Sequence, residues 1–404
     1  MSTAGERDRV LSGMRPTGRL HLGHYHGVLK NWARLQNEYD SFFFVADWHA
    51  LTTHYEDSEI MAANVWDMVI DWLAAGIDPD RATLFIQSRI PQHAELHLLL
   101  SMVTPLGWLE RVPSFKDQQQ RLKDRNLATY GFLGYPLLQS ADILMYRASW
   151  VPVGEDQVPH VELTREIARR FNHIFGKDAE FEEKAEQAVN QLGKQTARSF
   201  RAARQSWLQN GDETARQGAR ELLEAGRNLG AEEKERLLGY LEGGGRTILT
   251  EPEALLTRDS KLSGLDGQKM SKSYNNTINM RDDPDRVAGA IRTMPTDPAR
   301  KRRNDPGDPD KCPVWDLHQI YTEDTVREQL AAGCRSAGIG CLDCKRPLID
   351  AVMEEQVALY ERARPYEEDP GQVRAIIDEG CARAEAVAAE TLREVRDVVG
   401  TVYS

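Results

Sequence analysis

Residues 41–47, Ser41-Phe42-Phe43-Phe44-Val45-Ala46-Asp47, form an unbroken apolar run that ends in a carboxylate. A strand with one wet face alternates apolar and polar residues, whereas an unbroken run suits a strand covered on both faces, as in a parallel sheet. Upstream, Arg9-Val10-Leu11-Ser12-Gly13 reads as a short strand and Met14 to Gly18 as a Pro/Gly-containing loop. Leu22 to Gln36 then carries Val28, Leu29, Trp32 and Leu35 as a helical stripe. Downstream come a helix over Met61 to Ala75 and a third strand, Thr83-Leu84-Phe85-Ile86-Gln87. Pro136 opens a helix running through Tyr146, and Trp150-Val151-Pro152-Val153 leads into another over Asp156 to Phe171. This alternation predicts an α/β fold with a parallel, helix-covered sheet.

The pattern changes over 177–247. The stretch from Lys177 to Glu242 has no proline, is dense in charged residues and Ala, and places Phe181, Ala185, Val189 and Leu192 on one helical face. It reads as three or four short helices closed by Gly243-Gly244-Gly245, a solvated helical insertion within the sheet domain. Thr257 to Ile278 is loop-rich, and from Asp282 onward only helical patterns remain. The expected organisation is a sheet domain over 1–176, an insertion over 177–247, completion of the sheet domain over 248–285, and an all-α domain over 286–404.

Composition narrows the class. The 404 residues carry 51 basic and 63 acidic side chains, a net charge of −12, with 41% hydrophobic and 28% charged residues. This excludes collagen, disordered tails and disulfide-stapled mini-proteins. No apolar run approaches the ~18 residues of a membrane span, and the first residues lack the apolar core of a secretory leader. The expectation is a cytoplasmic protein with neither membrane nor DNA as partner, its net acidity arguing against indiscriminate nucleic-acid coating. The five cysteines then read as reduced thiols or a metal site.

Two constellations carry chemistry. In His21-Leu22-Gly23-His24, where loop becomes helix, the i, i+3 spacing sets both imidazoles on one side of the first turn. The free N–H groups of that turn attract phosphate, and Gly23 lets a ligand approach the backbone. In Lys269-Met270-Ser271-Lys272-Ser273, two lysines three apart sit among hydroxyls, after Gly264 and Gly267. That is a mobile clamp for a polyphosphate, and either motif gains weight from the other.

With these residues the chain resembles the class I aminoacyl-tRNA synthetases, whose motifs have the form HxGH and KMSKS. Within that class it is similar to the bacterial tryptophanyl members. The likeness runs through residues 12–18, 46–52, 109–116, 140–146, 153–157 and 162–166, and leaves out the stretch at about 177–247. It implies a Rossmann-like catalytic domain with a helical insertion, a helical anticodon-binding domain and a homodimer. It also implies activation of tryptophan by ATP, followed by transfer to the terminal adenosine of its tRNA. Magnesium would travel with ATP, held mainly by phosphates. By motif match His21 and His24 would contact the phosphates, while Arg15, Pro16, Thr17, Gly23, Gly154, Glu155 and Asp156 would form the nucleotide site with the lysine loop. Lys269, Lys272 and Lys116 would neutralise the departing pyrophosphate. Asp142 matches the acceptor of the indole N–H, a group that can only donate. Tyr135 and Gln157 match positions holding the substrate ammonium, and Gln139 stands beside the indole pocket where some relatives carry an apolar residue.

Cys312, Cys334, Cys341 and Cys344 follow the spacing C-x21-C-x6-C-x2-C. Four thiolates suit zinc or an iron–sulfur cluster. A similar pattern with one more residue in its first gap holds a [4Fe-4S] cluster in some bacterial tryptophanyl synthetases, so the resemblance favours the cluster, with zinc the alternative. Arg300-Lys301-Arg302-Arg303 is the densest basic run, and Arg335, Lys345 and Arg346 flank the cysteines, so both are candidates to meet tRNA. The rival readings are a tyrosyl-tRNA synthetase, a small-molecule nucleotidylyltransferase, and a catalytically altered relative serving as an RNA-binding or redox-sensing module.

Overall fold

The computed structural model of the chain describes residues 7–56, 61–112, 129–176, 179–225, 229–243, 246–257 and 262–403. Five strands, β1 (Arg9–Met14), β2 (Asp40–Val45), β3 (Ala82–Ile86), β4 (Trp150–Val153) and β5 (Glu253–Leu256), form one wholly parallel sheet in the order β3-β2-β1-β4-β5. In this order the chain winds outward from β1 in both directions, so connecting segments diverge between β1 and β4. Open α/β sheets bind ligands at the carboxyl ends of strands beside such a switch point.

The apolar run does what its composition requires. Ser41 to Val45 are all buried, each large apolar side chain contributing ~1.5–3 kcal/mol by leaving water. Phe43 stacks on Trp32 of the first helix at 4.3 Å between centroids, and Trp72 meets Trp32 edge-on at 5.2 Å. The last helix, Pro370–Val399, returns to the sheet: Gly380 lies so close to the backbone of Leu84 that no side-chain carbon fits. Sheet and C-terminal helices therefore share one apolar core.

Three elements differ from the sequence reading. Pro136 does not open its helix, which runs from Tyr130 to Met145 with Thr129 accepting a cap hydrogen bond from Phe132 N–H. The proline sits inside, and Ser140 Oγ donates to its carbonyl at 3.0 Å. The helix expected from Asp156 is a 3₁₀ turn, Glu155–Gln157, followed by the helix Val158–Phe175. β5 was not foreseen: Glu253-Ala254-Leu255-Leu256 is a short, partly exposed edge strand with little apolar signal.

The insertion forms four helices, Ala179–Gln191, Lys194–Asn210, Glu213–Ala225 and Ala231–Leu241, around a separate core including Phe200, Trp207, Leu223 and Leu237. Trp207 is clasped by two guanidinium groups, Arg169 at 4.1 Å and Arg216 at 4.8 Å from its ring centroid. Arg169 belongs to the helix after β4, so this contact fastens the bundle to the sheet domain.

Candidate active site

A cavity of about 470 Å³ opens at the carboxyl ends of β1 and β4. Its walls include Gly13 and Met14 from β1, Val153 from β4 and Gly154 just after it, and Arg15, Thr17 and His24 from the connection after β1. Tyr135, Gln139 and Asp142 enter from the helix Tyr130–Met145, with Gln157 from the turn after β4. Eight residues singled out in the sequence thus converge here, Arg15, Thr17, His24, Tyr135, Gln139, Asp142, Gly154 and Gln157, while His21, Gly23 and the lysine loop do not line the cavity. Pro16 is buried, Glu155 and Asp156 are exposed, and none of the three lines the cavity. Lys116 lies outside the described residues.

The histidine turn is built by backbone geometry. His21 is its N-cap, its N–H donates to His24 Nδ1 at 3.2 Å, and the two rings lie 3.8 Å apart. That bond fixes Nδ1 of His24 as acceptor, so the neutral ring carries its proton on Nε2 as a donor. Burial, reinforced by Lys272, drives His21 down to about 4. Burial, then His21 and both lysines, holds His24 well below the ordinary value. Both rings are neutral at pH 7, and His21 Nδ1 is buried without a partner. The open side of Gly23 faces the His21 ring, with an added Cβ only 2.9 Å from Cε1 and 3.7 Å from Cβ of Met270. The missing side chain makes room for the imidazole and for the lysine loop above it.

The lysine loop is tied to the same turn. Leu22 N–H donates to the Ile278 carbonyl at 2.9 Å and Met280 N–H to that of Leu20 at 3.0 Å. Met270 is buried, and Ser271 N–H donates to Asn276 Oδ1 at 2.8 Å, while Ser273 lies in the short turn Lys272–Tyr274. Asn276 Nδ2 reaches Asp266 Oδ1 at 2.7 Å and the Lys269 carbonyl at 3.2 Å, so one buried amide holds the loop in shape. Lys272 Nζ donates to the Gly18 carbonyl at 2.7 Å, across a glycine whose φ of +120° few other residues adopt. Burial, opposed by Asp71, lowers the Lys272 ammonium to about 8.

Asp142 is fully buried at the foot of the cavity. Its Oδ1 accepts from His93 Nδ1 at 2.6 Å and Gln87 Nε2 at 2.8 Å, and its Oδ2 from His49 Nε2 at 2.7 Å. His93 Nε2 stands 2.7 Å from the Tyr146 hydroxyl. Burial pushes the carboxyl up, but the hydrogen bonds and charges of His49 and His93 outweigh it and hold it at about 2. Sequence reading missed all three donors; the signal was faint, a glutamine ending an apolar strand and histidines opening two helices. Tyr135 Oη lies 3.1 Å from His160 Nε2.

The structure also gathers the four cysteines. Burial and the charges of Cys312, Cys334 and Cys341 push the Cys344 thiol up to about 12. His318 Nε2 is 3.6 Å from Cys344 Sγ, and Arg300 Nη1 is 3.9 Å from Cys334 Sγ. Among the described residues no three His, Cys, Asp or Glu side chains stand at metal-holding geometry. Arg300, expected as a phosphate contact, is buried instead, donating to the carbonyls of Arg303 at 2.8 Å and Ile339 at 2.6 Å. Lys345 is likewise buried, donating to the carbonyls of Arg292 and Met294, whereas Arg303, Arg335 and Arg346 remain exposed.

A doubly wound parallel sheet with a cavity at its switch point, flanked by two neutral imidazoles and a half-buried lysine, defines an α/β protein of the Rossmann-like kind. Residues 3–192 and 220–355 match the family described as tRNA synthetases class I (W and Y), and the chain belongs to that family. It is 62% identical to the tryptophan–tRNA ligase of Ralstonia nicotianae over 98% of this chain and 99% of that one. Against the tryptophan–tRNA ligase of Thermotoga maritima it is 41% identical over 98% and 100% of the two chains. The crystal structure of tryptophanyl-tRNA synthetase from Campylobacter jejuni complexed with ADP and tryptophan superposes with a TM-score of 0.72 at 27% identity, covering 97% of this chain and 99% of that one. No helix among the described residues is long and apolar enough to cross a membrane.

Proposed function

We propose that the protein is a tryptophan–tRNA ligase. It activates L-tryptophan with ATP to tryptophanyl-adenylate, releasing pyrophosphate, and transfers the amino acid to the 3′-terminal adenosine of tRNA(Trp), releasing AMP. The observation that carries this reading is the 62% identity to a curated tryptophan–tRNA ligase along nearly the whole chain. The substrate carboxylate attacks the α-phosphorus, forming the acyl-phosphate bond as the bond to pyrophosphate breaks, so no protein nucleophile is required. Catalysis is positioning and charge stabilisation. His24 offers Nε2–H to the phosphates, and Lys269 and Lys272 neutralise the leaving group, joined in our reading by Lys116. Asp142 accepts the indole N–H by exchanging its His49 donor for the substrate. Tyr135 and Gln157 face the ammonium, with Gln139 beside the ring. Mg²⁺ enters with ATP.

The four cysteines support an iron–sulfur reading of the helical domain. Their donor set is wholly thiolate, Arg300 Nε beside them is buried without a partner, and a Cβ at Gly307 would lie 2.7 Å from Cys334 Sγ, so the glycine keeps a cradle open. Cys312, Cys334, Cys341 and Cys344 would hold a [4Fe-4S] cluster, which supplies a structural and redox-active centre when bound; zinc suits the same ligands. The exposed Arg303, Arg335 and Arg346 nearby would meet the tRNA. Leu98, Met102, Leu106 and Tyr130, exposed by 54, 71, 57 and 68%, offer an apolar face for a second copy, consistent with a homodimer. Amino-acid-dependent ATP–pyrophosphate exchange tests the reading. Exchange with tryptophan alone is expected, and exchange with tyrosine would reassign the substrate.

A further inference from the structure

The helix Pro313–Tyr321 is nine residues long and touches three separate places. Its N-cap is Cys312, and its His318 approaches Cys344. Its first turn meets the lysine loop: Ser263 Oγ donates a hydrogen bond to Asp316 Oδ2, and Pro313 fills the side of Gly267 where an added Cβ would lie 2.7 Å from the ring. Its last residue meets the histidine turn, Tyr321 Oη standing 2.8 Å from His26 Nε2 and donating to Glu355 Oε1 at 2.7 Å. Lys30 Nζ completes this group, 2.9 Å from Glu355 Oε2.

Each contacted segment leads directly to a motif residue. Ser263 pairs in an antiparallel bridge with Lys269, so a shift of Ser263 carries the lysine with it. His26 lies in the π-helical turn Tyr25–Leu29, directly after His24, where the regular hydrogen-bond ladder is interrupted. A helix whose two ends grip these two segments fixes the distance between them.

We propose that the helix Pro313–Tyr321 sets the two halves of the ATP site against each other. Asp316 is the positioning residue for the lysine loop through Ser263, and Tyr321 is that for the histidine turn through His26. The inference rests on the adenylation reading above. It makes the helical C-terminal half a structural component of activation, and it gives the cysteine site a mechanical line to the nucleotide. Neither Asp316 nor Tyr321 needs to touch substrate.

The test is tryptophan-dependent ATP–pyrophosphate exchange by the full chain and its S263A, D316A, D316N and Y321F variants. S263A and D316A should each raise the KM for ATP about tenfold, well inside the ~100-fold that a 1 Å misplacement can cost. The KM for tryptophan should stay put, because Asp142 and His49 are carried by other helices. The S263A/D316A double variant should be no worse than either single, the signature of one shared contact. D316N still offers Ser263 an oxygen and should retain most activity, while Y321F should raise the ATP KM like D316A. S263A removes only a hydroxyl, so it keeps the test sound if D316A folds poorly. Unchanged ATP KM values, additive losses, or D316N as damaging as D316A would overturn the proposal. A wild-type chain without exchange would instead overturn the adenylation reading itself.

Discussion

Lys272 and Gly18 stand 254 positions apart in sequence, yet the lysine Nζ donates a 2.7 Å hydrogen bond to the glycine carbonyl. The lysine loop is thereby latched to the loop that precedes the histidine turn. The ammonium is held by a neutral acceptor, which leaves its charge available for an incoming phosphate.

That arrangement has a pH signature. With Lys272 lowered to about 8 by burial, the free protein loses this charge as pH rises through 8. The kcat/KM for ATP, which reports the free enzyme, should therefore fall above about pH 8. Lys272→Arg, which stays protonated, should abolish that limb while lowering the rate overall. Exchange assays from pH 6.5 to 9.5 measure both, and an alkaline limb persisting in the arginine variant would assign it elsewhere.

On the proposed reading Asp142 serves binding and stability together. Asp142→Ala should abolish tryptophan activation while ATP affinity persists. It also strands buried donors on His93 and Gln87, at ~1–3 kcal/mol each. The carboxyl is held at about 2, below its ordinary 3.8, so its contribution to stability is present above pH 3.8 and lost as pH falls through 2. Acid melts of wild type and Asp142→Asn should converge as pH falls toward 2. A variant that activates tryptophan normally would remove Asp142 from the substrate pocket.

The cysteine reading predicts a split between the two half-reactions. Cys341→Ser or Cys344→Ser should strip iron and labile sulfide from anaerobically purified protein. Charging of tRNA should then weaken more than tryptophan activation. Equal losses in both would sink the division of labour, and metal analysis showing zinc without sulfide would decide for the alternative.

The insertion offers a contrast. Trp207→Ala empties the core of the four-helix bundle and releases Arg169, a loss of ~3–5 kcal/mol. Calorimetry should show the destabilisation, while exchange at a temperature where the variant is folded stays unchanged. A parallel fall in activation would tie the bundle to catalysis.

Much of this was legible in the residues. Phe42 to Val45 announced a strand buried on both faces, and the spacing of His21 and His24 placed their rings together. What escaped notice was held by contacts distant in sequence. β5 exists because β4 offers it a partner, with Trp150 paired to Glu253, and its own four residues say little. Pro136 reads locally as a helix start, yet the Thr129 cap begins the helix earlier. Arg300 looked like a surface cation because its neighbours are charged; only the fold turns it inward onto the carbonyls of Arg303 and Ile339. The donors to Asp142 arrive from residues 49, 87 and 93, a convergence no local pattern displays.

The pairing of β4 with β5 also sets an order of events at the ribosome. About 100 residues separate the two strands, and at ~5–20 residues per second the nascent chain exposes the β4 edge for roughly 5–20 s before its partner emerges. The insertion, with a core of its own, is wholly synthesised within that interval. The lysine loop emerges only after β5, so the nucleotide site closes late, when the rest of the sheet is already in place to receive it.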